Sequence, residues 1–114
     1  MARHLALLGF RSVYQARASR GPFDLVAHHG AGVLALQVQQ AELPVHVPRP
    51  KVERLLQGAA ELGWIPLLAI VSGGRPRFYA PQELRTTARS AVVEPGSPEI
   101  DSLLQLVLLA QPGR

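Results

Sequence analysis

Two short apolar runs, Gly21-Pro22-Phe23-Asp24-Leu25-Val26-Ala27 and Val33-Leu34-Ala35-Leu36-Gln37-Val38-Gln39, flank the turn His29-Gly30-Ala31-Gly32. The residues from Phe23 to His28 are rich in aromatic and β-branched types and lie between turn signals, which indicates a strand. The two glycines of the turn can adopt the unusual backbone angles of a tight connection. This stretch therefore predicts a β-hairpin, and we expect any functional site of the chain to lie on it.

The second strand of this hairpin carries two amides. Because side chains alternate along a strand, it has one apolar face for the core and one face that bears Gln37 and Gln39. We expect Asp24, on the first strand, to lie near these amides. Asp24 is the only acidic residue before Glu42, in a stretch that otherwise carries arginine. Two interpretations stay open: a structural carboxylate, satisfied by Arg20 or by turn amide protons, or the remnant of a metal site.

The composition of the 114-residue chain is basic. Its net charge is +4 and its pI is about 10.7, and arginine supplies nearly all of the positive charge because Lys51 is the only lysine. The arginine side chain is a rigid fork of donors that suits phosphate, so nucleic acid is the first partner to consider. The alternative is a small arginine-rich protein from a GC-rich genome that is basic for no binding reason.

Length and residue usage narrow the protein class. A chain of this length supports one hydrophobic core. It has no cysteine, which excludes disulfides and cysteine zinc sites and makes a reducing cytoplasm the default. We find no signal peptide, and apolar stretches such as 106–110 are too short to span a bilayer, so no membrane is expected.

Helical and extended segments follow the hairpin further along the chain. Apolar residues from Val52 to Leu62 recur at three and four positions, which predicts a helix from Lys51 to Gly63, and the run from Ile65 to Val71 predicts a buried strand. Residues 86–97 lack a clean period and are expected to be a linker. Ser97 is expected to cap a last apolar helix, residues 98–114, that packs on the core or on a dimer partner.

Several of these stretches also carry a resemblance to a known family. They are Leu8-Gly9-Phe10, Ser19-Arg20-Gly21-Pro22-Phe23-Asp24-Leu25-Val26-Ala27, the helix from Lys51 to Gly63 with the strand after Trp64, and Phe78-Tyr79-Ala80-Pro81-Gln82-Glu83-Leu84. Through them, residues 5–84 resemble the archaeal-type Holliday junction resolvases of the PD-(D/E)xK nuclease superfamily. The resemblance implies an α/β fold with a restriction-endonuclease-like central mixed sheet flanked by helices. It also implies a nuclease-like core over residues 1–85, DNA as partner, a homodimer, and Mg²⁺ as cofactor of active members.

The chain departs from the family pattern at the catalytic residues. The family's second strand carries an acid, any residue, then lysine, and here that place is filled by Gln37-Val38-Gln39. The family's first-helix glutamate would lie before Met1. The resemblance therefore implies a degenerate catalytic set of Asp24, Gln37 and Gln39, in which a glutamine oxygen brings no negative charge to a metal. Rescue by one of three further residues stays open: Gln40, Glu42 or Lys51.

The expected function is DNA binding by a catalytically degenerate resolvase-like protein. Arg11, Arg17 and Arg20 are expected to contact phosphates, with Ser19 donating a hydrogen bond, unless these arginines are only solvated. One alternative is an active Mg²⁺-dependent endonuclease on branched or duplex DNA, with Asp24 and Gln37 as metal ligands. Another is a pseudo-nuclease that binds a protein partner through its sheet edge or last helix.

Overall fold

A β-hairpin forms at the predicted place. The computed structural model describes residues 5, 7, 9–10, 12–15, 23–29 and 32–109, and for 12–15, 104 and 109 only the backbone. Strand β2 (Leu25–His29) pairs antiparallel with β3 (Gly32–Gln40), and Leu25 lies opposite Leu36. The hairpin prediction is confirmed, while residues 30 and 31 of its turn lie outside the described residues.

The hairpin belongs to a five-stranded mixed sheet. Its other strands are β1 (Ser12–Gln15), β5 (Ile65–Ser72) and β6 (Arg75–Tyr79), in the order β1-β2-β3-β5-β6. Only β3 and β5 are parallel to each other, and helix α1 (Arg49–Leu62) connects them. A parallel pair needs such a crossover connection. The expected α/β fold, a central mixed sheet flanked by helices, is confirmed.

Helix α1 follows its sequence signals closely. Its apolar stripe buries Val52, Leu55 and Ala59. Gly63 ends it with φ 70° and ψ 27°, the left-handed conformation that glycine adopts without steric penalty. The helix is therefore fixed by its apolar period and by its C-terminal glycine.

A second, three-stranded sheet lies in the C-terminal half. It consists of β4 (Val45–Pro48), β7 (Arg85–Thr86) and β8 (Ser90–Val93), with β8 in the middle. The stretch 86–97, expected as a linker, thus contains a strand whose four residues are all buried. The physical reason is its short continuous apolar run, which shows no period because both faces of β8 are covered.

Both faces of the main sheet are covered. One apolar cluster lies on the α1 side and includes Ala35, Leu55 and Leu68, and another on the opposite side includes Leu34 and Leu36. Strand β3 is therefore buried on both faces. This corrects the expectation of one core face and one polar face, because the strand lies at the centre of the sheet.

The last helix, α2 (Leu103–Leu109), begins later than expected. Ser97 closes a turn instead, because its Oγ accepts the backbone N–H of Glu94 at 2.9 Å. Ser102 is the residue at the helix start: its Oγ accepts the N–H of Gln105 at 3.2 Å. Leu103 and Val107 pack on the core, which is one of the two arrangements expected for the last helix. Within the described residues, no helix is long and apolar enough to cross a membrane.

Candidate functional site

Asp24 lies directly before β2 and contacts β3 through its backbone and its side chain. Its N–H donates to the carbonyl of Leu36 at 2.9 Å. Its Oδ2 accepts two hydrogen bonds, from the backbone N–H of Val38 at 3.0 Å and from Nε2 of Gln37 at 2.9 Å. The pairing of Leu25 with Leu36 places Asp24 beside Gln37, so the expected proximity of carboxylate and amide is confirmed.

The orientation of the Gln37 side chain follows from electrostatics. An amide oxygen at 2.9 Å from a carboxylate oxygen would be repelled, whereas the NH₂ group donates a hydrogen bond to it. Gln37 is only 4% exposed, so this bond forms largely away from water. Among the described residues, the carboxylate thus accepts from one backbone donor and one amide donor of β3. Arg20, one of its two predicted partners, lies outside the described residues, as do residues 30 and 31 of the turn.

Two oxygens of the site have no hydrogen-bond partner among the described residues. They are Oδ1 of Asp24 and Oε1 of Gln39, and both atoms are buried. A buried acceptor without a donor typically destabilises a protein by about 1–3 kcal/mol. The described part of the chain supplies donors to only one of the two Asp24 oxygens.

The described side chains do not fit a magnesium site. Mg²⁺ prefers an octahedral set of oxygen ligands and is usually held by carboxylates. Here Oδ2 of Asp24 already accepts two hydrogen bonds, and Gln37 presents nitrogen to it. Among the residues with described side chains, no group of three or more His, Asp or Glu could hold a metal ion. Asp24 and Gln37, the predicted ligand pair, are brought together, but as hydrogen-bond partners.

The three residues considered for rescue of catalysis are all exposed. Gln40 is exposed and lies one residue after Gln39, so it faces the opposite side of β3. Glu42 and Lys51 are also exposed, and Glu42 belongs to no group of three or more His, Asp or Glu among the described residues that could hold a metal ion.

The predicted DNA contacts cannot be placed on this fold. Arg11, Arg17, Ser19 and Arg20 lie outside the described residues. Their role stays a prediction.

Sequence reasoning missed a pair of arginines on β6. Arg75 and Arg77 are both exposed, and Pro76 between them points to the other face. The signal in the sequence is the alternation Arg75-Pro76-Arg77 directly after Gly73-Gly74.

A single ion pair joins strand β7 to the end of β8 among the described residues. Nε of Arg85 lies 3.0 Å from Oε2 of Glu94. The hydrogen bond from Arg85, together with its charge, lowers the pKa of Glu94, and the same contact raises the pKa of Arg85. Both groups are solvent-exposed and belong to the small sheet rather than to the hairpin.

The fold has a close counterpart among solved structures. It matches a Holliday junction resolvase from the archaeal hyperthermophile Archaeoglobus fulgidus with a TM-score of 0.72 and 28% sequence identity. The match covers 81% of this chain and 82% of that chain. No protein-family model and no curated protein sequence matches the chain. The resemblance predicted from the sequence is thereby confirmed, and the fold of this chain is similar to the nuclease fold of that archaeal Holliday junction resolvase.

Proposed function

We propose that this protein binds DNA as a resolvase-like protein whose metal-dependent catalytic centre is degenerate. The observation that carries the proposal is the hydrogen bond from Nε2 of Gln37 to Oδ2 of Asp24. It places a neutral donor where the family has a second acid. One oxygen of the carboxylate, Oδ2, then accepts hydrogen bonds from Gln37 and Val38 without a cation.

The energetic consequence for hydrolysis is large. A loss of roughly 10³-fold in rate corresponds to only about 4 kcal/mol of transition-state stabilisation. Gln37 cannot replace the charge of an acid on a metal, and Gln39 cannot replace the cation of a lysine. Two such losses would take phosphodiester cleavage out of a useful range.

DNA binding is supported by charge and by the fold. The chain carries a net charge of +4 that rests almost wholly on arginine, and its structural counterpart is a Holliday junction resolvase. We assign phosphate contacts to Arg11, Arg17 and Arg20, with Ser19 as an added donor. Mg²⁺ would be required only if activity survives.

The proposal includes a homodimer in the cytoplasm. Leu7 is 82% exposed and Leu108 is 59% exposed. Leu7 lies two residues after Leu5 and Leu108 lies one residue after Val107, and both Leu5 and Val107 belong to the same core cluster. Burial of such leucines between two copies would be favourable. Light scattering after size exclusion gives the mass and decides this point.

The test of function uses a labelled four-way junction and a matched linear duplex with Mg²⁺, Mn²⁺ or a chelator. We expect a salt-sensitive mobility shift without cleavage in all three conditions. Cleavage that needs metal and disappears in Asp24→Asn would show an active endonuclease and overturn the degenerate site. Neither shift nor cleavage would instead favour a module that binds a protein partner.

A further inference from the structure

We propose that Arg75 and Arg77 contact DNA phosphates on the β6 side of the Asp24–Gln37–Gln39 site. The inference rests on the proposed function and extends it to two further arginines, both on β6. Its basis is the register of three neighbouring strands.

The register places Arg77 in one row with Gln39. Gln39 pairs with Ile70 across β3 and β5, and Ile70 pairs with Arg77 across β5 and β6. Directly paired residues project to the same face of a sheet. The side chains of Gln39 and Arg77 therefore lie on the same face, with Ile70 between them.

Arg75 lies on the same strand as Arg77, nearer to the end of the sheet where the Asp24–Gln37–Gln39 site lies. It pairs with Ser72, the last residue of β5, and shares the face of Arg77 because the two are separated by one residue. β5 runs parallel to β3, so its last residue lies at the end of the sheet where Gln39 lies. Asp24, at the start of the antiparallel β2, lies at that end as well.

Both guanidinium groups are available for a ligand. Arg75 and Arg77 are exposed, and in the part of the chain that the structure describes the one ion pair is that of Arg85 with Glu94. An arginine offers five donors in a planar fork that matches phosphate oxygens in pairs. Two exposed arginines on one edge form a compact positive surface.

The spacing suits a nucleic acid duplex. Neighbouring strands are about 4.8 Å apart, so β6 lies about 10 Å from β3 and about 14 Å from β2 across the sheet. The grooves of B-DNA are about 6 Å and about 12 Å wide, so phosphates on the two sides of a groove recur at comparable distances. A duplex that reaches Asp24 can thus place a phosphate over β6.

The alternative explanation for the two exposed arginines of β6 is that they protect an edge strand from pairing with another copy. β6 is the last strand of the sheet, and charged residues with proline on an edge prevent pairing with another copy. Arg75-Pro76-Arg77 fits that pattern as well. Edge protection depends on charge of either sign, whereas a phosphate contact needs positive charge, so the two explanations can be separated.

The experiment measures DNA affinity against salt, with chelator present, for three forms of the full chain. They are the unaltered protein, Arg75→Gln/Arg77→Gln, and the control Arg54→Gln/Arg85→Gln, which removes the same two charges elsewhere. Each phosphate contact contributes about 0.9 to the slope of log affinity against log salt. We expect the first variant to lose about 1.8 of that slope and the control to lose less than half as much.

The outcomes distinguish this inference from the proposed function. An unchanged slope in Arg75→Gln/Arg77→Gln, or an equal loss in the control, overturns the inference alone. Absence of salt-dependent binding by the unaltered protein overturns the proposed function and this inference with it. If the glutamine variant aggregates, Arg75→Glu/Arg77→Glu keeps the edge charged: loss of DNA binding by this soluble variant supports the contact, and retained binding overturns it.

Discussion

Nε2 of Gln37 lies 2.9 Å from Oδ2 of Asp24. The amide donates to one oxygen of this carboxylate, while the other oxygen, Oδ1, is buried without a donor among the described residues. Oδ2 also accepts the N–H of Val38, so the contact ties the start of β2 to β3. Asp24 and Gln37 have in this chain the geometry of a structural hydrogen bond.

Gln37→Glu should create a metal response that the unaltered protein lacks. The new carboxylate would face Asp24 in a buried place, and we expect it to lower the stability by about 3 kcal/mol in chelator. Millimolar Mg²⁺ should recover part of this loss by neutralising the two charges. Thermal unfolding with and without Mg²⁺ measures the effect.

The matched control for that variant is Gln40→Glu. It adds the same charge on the same strand, but at an exposed position on the opposite face. Its melting temperature should not respond to Mg²⁺. An equal Mg²⁺ response in the control, or in the unaltered protein, would contradict the account of the Gln37 amide.

Substitutions of Asp24 should rank by the number of hydrogen bonds they keep. Asp24→Asn retains one acceptor oxygen and should destabilise by about 1–2 kcal/mol, while Asp24→Ala leaves two buried donors unpaired and should destabilise by about 3 kcal/mol. Urea unfolding with an unchanged m-value gives both numbers. Equal losses of stability in the two variants would mean that the acceptor oxygen kept by Asn contributes less than the negative charge of Asp24.

The hairpin and helix α1 could be predicted because their sequence signals are local. Alternation and a glycine turn indicate the hairpin, while an apolar stripe and Gly63 indicate the helix. The position of Asp24 beside Gln37 follows from the register of the same hairpin. These parts of the fold and of the site are decided by neighbours in sequence.

The small sheet and the start of α2 could not be predicted in the same way. β8 is a short apolar run whose partners, β4 and β7, are assigned only by tertiary pairing. Ser97 and Ser102 both precede residues that suit a helix, but the backbone N–H of Ile100 donates to the carbonyl of Phe78 at 2.8 Å. That bond holds the intervening chain against β6, and Ser102 with Gln105 is the pair that carries the capping signal.

The loss of stability on substitution of Gly63 should depend on backbone conformation and not on side-chain volume. Its φ is 70°, and an added Cβ would meet no atom within 4 Å. Gly63→Ala should therefore destabilise by about 1 kcal/mol from the left-handed conformation alone, and Gly63→Asn by less. Urea midpoints of the two variants measure the difference, and a larger loss for Asn would show a steric origin.

The ion pair of Arg85 and Glu94 should contribute stability that depends on pH. Arg85 lowers the pKa of Glu94 in the folded protein, so the stabilisation is present above the ordinary pKa of this carboxyl. It is lost as the pH falls through the lowered folded value, where Glu94 becomes protonated. Since both groups are exposed, the effect should be small and should shrink in 1 M salt.

Glu94→Gln isolates this contribution. Its melting temperature should lie below that of the unaltered protein at pH 7, and the two should converge as the pH drops well below about 4. Glu99→Gln, an exposed acid without an arginine partner among the described residues, serves as the control. A difference that persists in acid would show that Glu94 acts through packing, because a protonated carboxyl no longer pairs with the charge of Arg85.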